Sequence, residues 1–210
     1  MNESQLRERI AMHGESLYRR GFGVGSSGNI SVRLDDGMLV TPTNSCLGRL
    51  DPARISKLDR NGKLLSGDPP SKEAFLHLSM YRERPGDSAV VHLHSTYSVA
   101  VSCLAEIDPE DVLPPITAYY VMKVGKLPLI PYYRPGDAKL ADAVATRAGK
   151  HRAVLLANHG PVLSGKDLDN AVYAIEELEE TAKLHLLLQG HRVRPLTPDQ
   201  LADLHHHFPS

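Results

Sequence analysis

His92 and His94 interrupt the apolar run Val90–Val91–His92–Leu93–His94–Ser95 with a spacing of two. Such a run reads as a strand. Alternate residues of a strand share a face, so the two imidazoles project together while Val91 and Leu93 point the other way. Two ring nitrogens on a rigid strand form a chelate for a divalent metal. The same spacing also serves two hydrogen-bonded histidines on a polar sheet face, and the pair alone leaves both readings open.

Two further groups extend the set. Asn158–His159–Gly160 ends an apolar strand and holds a third imidazole at a glycine turn, while Ser71–Lys72–Glu73 places a carboxylate at a helix start. His92, His94, His159 and Glu73 together offer three nitrogens and one carboxylate, a donor set suited to zinc or a similar divalent ion. Read singly, His159 satisfies a turn and Glu73 answers a helix dipole. His77, one turn after Glu73, is expected on the packed helix face rather than at a metal. His205, His206 and His207 are adjacent on a C-terminal helix, where they fan out and make a poor ligand set.

A second constellation suits an anion. Ser26, Ser27 and Asn29 lie in a glycine-rich loop, Thr43 and Asn44 in a polar loop, and Ser71 at the same helix start as Glu73. Hydroxyls, amides and uncovered backbone N–H groups of this kind bind phosphate, especially beside a helix N-terminus. Polar loops have the same composition without any ligand.

The elements that must position these residues follow from periodicity and turn signals. Leu6, Ile10, His13 and Leu17 recur at helical spacing, and a helix is expected up to about Gly21. Ile30–Leu34 and Met38–Val40 flank Asp35–Asp36–Gly37, while Ile55–Leu58 and Lys63–Leu65 flank Asn61–Gly62; both read as hairpins. Helices are expected from about Ser71 to Arg84, Tyr97 to Leu104 and Pro135 to Gly149. Residues 116–124 fit strand or helix. Leu129–Tyr132, His151–Ala157 and Pro161–Leu163 read as strands. Asp167 caps the longest helix, which runs to about Gln189, and Thr197–Pro198 opens a final one.

There is no repeat, linker or compositional break, so 210 residues imply one α/β domain over residues 1–210. A net charge of −1 leaves no basic face for nucleic acid, and no apolar run approaches a membrane span. Cys46 and Cys103 form no metal or disulfide pattern. With no apolar leader after Met1, a cytoplasmic protein is expected.

Taken in order, G-S-S-G-N-I-S, T-P-T-N, P-S-K-E, H-L-H-S-T and A-N-H-G-P resemble the motifs of the class II aldolase/adducin family, which includes fuculose-phosphate aldolase and ribulose-5-phosphate 4-epimerase. The resemblance implies a three-layer αβα fold with a mainly antiparallel central sheet. It implies zinc on Glu73, His92, His94 and His159, with phosphate at Ser26, Ser27, Asn29, Thr43, Asn44 and Ser71. It also implies a homotetramer with sites at subunit interfaces, completed by a neighbour's tyrosine. Tyr119 and Tyr120 are the leading candidates, with Tyr132 and Tyr133 behind them. The intact donor set argues against an adducin-like interaction domain, and Glu73 stands where epimerases of the family are expected to carry aspartate.

Two positions depart from the family's aldolases: Asn44 replaces a usual glycine and Lys72 a usual serine. A lysine in a first helical turn opposes the macrodipole by about 0.3–1 kcal/mol, which suits either a residue kept for a ligand or a solvated side chain. T-P-T-N-S-C-L-G-R-L-D-P, G-D-P-P-S-K-E, P-Y-Y-R-P-G-D and Ile175–Leu184 resemble a branch that decarboxylates 3-oxo-tetronate 4-phosphates. That implies a phosphorylated sugar acid as substrate, loss of carbon dioxide through an enediolate stabilised by the metal, Glu73 as proton carrier and Lys72 attracting the carboxylate. Cleavage of a sugar 1-phosphate and 4-epimerisation of a pentulose 5-phosphate are the alternatives.

Overall fold

The computed structural model describes residues 1–208. Its framework is an eight-stranded sheet in the order β4-β3-β2-β1-β5-β8-β7-β6. The strands are β1 (Asn29–Leu34), β2 (Gly37–Val40), β3 (Ser56–Asp59), β4 (Leu64–Ser66), β5 (Ala89–His92), β6 (Leu129–Ile130), β7 (Ala153–Leu156) and β8 (Gly160–Gly165). Every pairing is antiparallel except β6 with β7.

Side-chain alternation sorts the sheet into two cores. Ile30, Leu39, Val91, Leu155 and Leu163 join one cluster with residues of α1 (Glu3–Arg19), α3 (Thr96–Ser102), α4 (Ala118–Lys123) and α6 (Leu168–Leu187). Their neighbours Met38, Val40, Val90, Val154 and Val162 join another beneath α2 (Ala74–Glu83) and α5 (Ala138–Ala148). With both faces covered, the strands read as near-continuous apolar runs, and the three-layer arrangement follows.

Both expected hairpins form, and the N-cap roles of Asp167 and Thr197 are seen at α6 and α7 (Pro198–His207). The ambiguous stretch 116–124 becomes α4, capped by Thr117. The helix expected from Ser71 begins later, at Ala74 with Glu73 as N-cap. Ser71 is held by the neighbouring loop instead, its N–H bonding the Thr41 carbonyl, and Ser71–Lys72–Glu73 forms a turn closed by Ala74 N–H to the Ser71 carbonyl. Lys72 therefore lies outside the helix, and the macrodipole argument for it falls. The strand expected over Val90–Ser95 ends at His92, with His94 just beyond it.

Candidate metal and substrate site

Glu73, His92, His94 and His159 meet, one donor atom from each lying within 4.8 Å of all the others. His92 Nε2 is 3.0 Å from His94 Nε2, which is 3.1 Å from His159 Nε2. Glu73 Oε2 lies 3.3 Å from His92 and its Oε1 3.1 Å from His159.

Each side chain has a local reason for its place. His92 closes β5 and pairs in register with Asn29 of β1. Its Nδ1–H donates to the Pro161 carbonyl at 2.8 Å, which aims Nε2 at the cluster. His94 continues the same alternation past the strand end. The next residue, Ser95, donates to the buried carboxylate of Glu179, which also accepts from Tyr97 N–H, Ser98 N–H and Ser98 Oγ at 2.6–2.8 Å. His159 occupies the β7–β8 turn, where Asn158 adopts φ +56° and Gly160 φ +153°. Glu73 ends a turn stitched to the phosphate-type loop by Thr43 N–H to Pro69 O and Ser71 N–H to Thr41 O.

The electrostatics favour a cation. Burial pushes the Glu73 carboxyl up, but the positive character of His92 and the contacts with His159 outweigh it and hold the group well below the usual carboxylate range. Burial, reinforced by His92 and His159, pushes His94 down to about 3, so its ring is neutral and its lone pair available. Glu73 Oε1 is buried with no hydrogen-bond partner. Three ring nitrogens and an orphaned carboxylate oxygen aimed at one another fit a divalent metal, with the His/carboxylate chemistry of catalytic zinc centres.

The phosphate-type residues divide. Ser26, Thr43 and Asn44 line a cleft of about 340 Å³. Asn44 has φ +56°, a left-handed conformation that asparagine tolerates better than most residues. The Ser27 hydroxyl turns back to donate to the Val24 carbonyl, Ser71 Oγ accepts from Glu73 N–H, and Asn29 is engaged by Glu73 and His77. The sequence reading missed Arg49, which is exposed on the same cleft and has no ion pair among the described residues. Its place in T-P-T-N-S-C-L-G-R was the available signal. Lys72 is exposed beside Glu73.

The tyrosines sort differently from expectation. Tyr120 is 1% exposed, enclosed in the core of this chain, whereas Tyr119 is 63% exposed. Tyr132 and Tyr133 instead line a hollow of about 490 Å³ with His94 and His159. His77 is fully buried and turned toward β1, away from the donor cluster. His205–His207 are exposed on the last turn of α7, outside the cluster.

Known proteins agree with this architecture. Residues 8–186 match the family model described as Class II Aldolase and Adducin N-terminal domain. A 3-oxo-tetronate 4-phosphate decarboxylase of Pectobacterium atrosepticum is 52% identical over 204 residues, covering 97% of this chain and 94% of that protein. An L-fuculose phosphate aldolase of Haemophilus influenzae is 36% identical, covering 96% and 92%. The crystal structure of YgbL from Escherichia coli superposes with a TM-score of 0.94 at 49% identity, covering 96% and 98%. The four-donor cluster thus sits in a fold and a sequence order shared along nearly the whole chain, and this chain belongs to the class II aldolase/adducin family.

Proposed function

We propose that the protein removes carbon dioxide from a 3-oxo-tetronate 4-phosphate, giving dihydroxyacetone phosphate. The observation that carries this reading is the convergence of Glu73 with three imidazoles beside an exposed Lys72. It is supported by the 52% identity to a relative named for that reaction.

The substrate is a β-keto acid. Breaking its C1–C2 bond releases carbon dioxide and leaves the electron pair delocalised over C2 and the C3 oxygen, and a proton must then reach C2. A divalent ion held by His92, His94, His159 and Glu73 supplies Lewis-acid stabilisation of that charge when bound. The protein's own groups do the rest. Ser26, Thr43 and Asn44 anchor the phosphate, with Ser27 and Ser71 in the adjoining loops, and so fix the scissile bond relative to the donor cluster, while the Asn29 amide is committed to Glu73 and His77. Lys72 attracts the departing carboxylate, and Glu73 Oε1, ionised at rest, passes a proton taken up from water to the carbanionic C2. We take the enzyme to be a cytoplasmic homotetramer that uses zinc, with an exposed tyrosine, Tyr119 or Tyr132, completing a neighbour's site.

The test is dihydroxyacetone phosphate release from 3-oxo-tetronate 4-phosphates with and without chelator, alongside the metal content and the solution mass of the purified protein. The expected result is chelator-sensitive release by a zinc-loaded tetramer. Equal or faster cleavage of fuculose 1-phosphate would assign the site to aldol chemistry instead.

A further inference from the structure

Behind Glu73 runs an unbroken line of buried polar groups that leads away from the donor cluster. Glu73, His77 and Tyr81 follow one another at intervals of four along the face of α2 and its cap, while Asn29 and Ser31 alternate on β1 below them. The helical and strand spacings mesh. Asn29 Nδ2 is 2.9 Å from Glu73 Oε2, His77 Nε2 contacts Asn29 Oδ1, His77 Nδ1 is 2.7 Å from Ser31 Oγ, and Ser31 Oγ is 2.7 Å from the Tyr81 hydroxyl. His77 and Ser31 are fully buried.

The directions of these bonds follow from their first member. An ionised carboxylate only accepts, so Asn29 must turn its NH2 toward Glu73 and its carbonyl toward His77. His77 then carries its proton on Nε2 to donate to that carbonyl. Its bare Nδ1 accepts from the Ser31 hydroxyl, which in turn accepts from Tyr81. The ring has the opposite tautomer from His92, whose proton sits on Nδ1. An amide does not relay protons along such a line, so it serves to hold geometry.

We propose that His77 is a positioning residue: by locking the Asn29 amide it fixes Glu73 Oε2 and leaves Oε1 as the oxygen free for metal and proton. Oε1 makes no hydrogen bond of regular geometry and faces His159 Nε2 at 3.1 Å inside the donor cluster. Without His77 the amide carbonyl loses its buried donor, the Asn29 side chain is held at one end only, and the hydrogen bond that fixes Oε2 loosens. The role in turnover rests on the decarboxylase reading; the role in metal binding does not.

The experiment compares the parent chain with His77→Met and His77→Gln. Methionine fills the volume without a donor, whereas glutamine offers an N–H to Asn29 and an oxygen to Ser31. Zinc affinity is read by competition against a chromophoric chelator, and kcat and KM on the decarboxylase substrate. His77→Met is expected to bind zinc about ten- to hundredfold more weakly. Its kcat should fall by about the same factor with KM nearly unchanged, and His77→Gln should recover most of both. Parent-like zinc affinity in His77→Met, or equal losses in the two variants, would overturn the proposal. If the parent lacks decarboxylase activity while the zinc series behaves as expected, the functional reading alone fails. Should His77→Met not fold, long-range 15N–1H spectra of histidine-labelled parent protein decide the point. The ring whose signals vanish in His77→Gln must be protonated on Nε2, and a proton on Nδ1 refutes the assignment.

Discussion

The α-carbon of Gly160 packs directly on the carbonyl of Leu93: a β-carbon built there would lie 2.3 Å from that oxygen. This close approach brings the His159 turn against the segment that carries His94, and glycine also tolerates the φ of +153°. Gly160→Ala should cost about 1–3 kcal/mol through overpacking against backbone. It should also lower the divalent metal bound per chain, because the turn must move off the strand. Urea midpoints and metal content measure both effects, and a variant that keeps full metal occupancy would contradict the account.

Glu179 is buried and accepts four hydrogen bonds from the Ser95–Ser98 segment that follows His94. Glu179→Ala strands those donors in the interior and should destabilise the fold by about 3 kcal/mol or more. Part of the loss should appear at the site as weaker zinc binding. A thermal melt within two degrees of the parent would refute this.

Acid should destabilise the metal-free protein through His77. Burial, with the charge of nearby His92 adding and Glu73 opposing, pushes His77 down to about 3 from its ordinary 6.5. Below pH 6.5 the unfolded chain takes up a proton that the native ring refuses, so stability falls with pH until the native ring titrates near 3. The slope is about 1.4 kcal/mol per pH unit from this residue. His77→Gln should therefore show a shallower dependence than the parent in urea titrations at pH 7.5, 6.5 and 5.5. A constant gap between parent and variant at all three values would exclude the effect.

Lys72 bears on specificity. It is exposed in the turn before α2, outside the helix, and in the proposed reaction it attracts the substrate carboxylate. Lys72→Ser should reduce kcat/KM on the sugar acid phosphate by about tenfold, equivalent to about 1.4 kcal/mol of transition-state binding. Unchanged kcat and KM would remove it from the mechanism.

How much of this was legible in the chain depends on how local the information is. Periodicity and turn residues located the hairpins, the helix caps and the apolar strands, because each is decided within a few residues. The candidate donors were legible too, because strand alternation and two turn signals mark His92, His94, His159 and Glu73, and the fold brings those four side chains together. Other points needed the fold. Ser71 looked like the start of a helix but is captured by the Thr41 carbonyl, a partner thirty residues away. Tyr120 and Tyr119 are neighbours in sequence, yet one is in the core and the other in solvent, because only the packing of α4 decides which side faces inward.

By itself the sequence determined which atoms are available and in what local geometry: two imidazoles on one strand face, a third at a glycine turn, a carboxylate beside hydroxyl-rich loops. The tertiary structure decided which of them meet and what stands behind them. The register that sets Asn29 opposite His92, and the layering that lays α2 across β1, convert His77 from a residue on a packed face into the support of Glu73. Such pairings lie between residues far apart in the chain, and no local periodicity encodes them. They arise only when the sheet closes and the polar groups it buries must find one another.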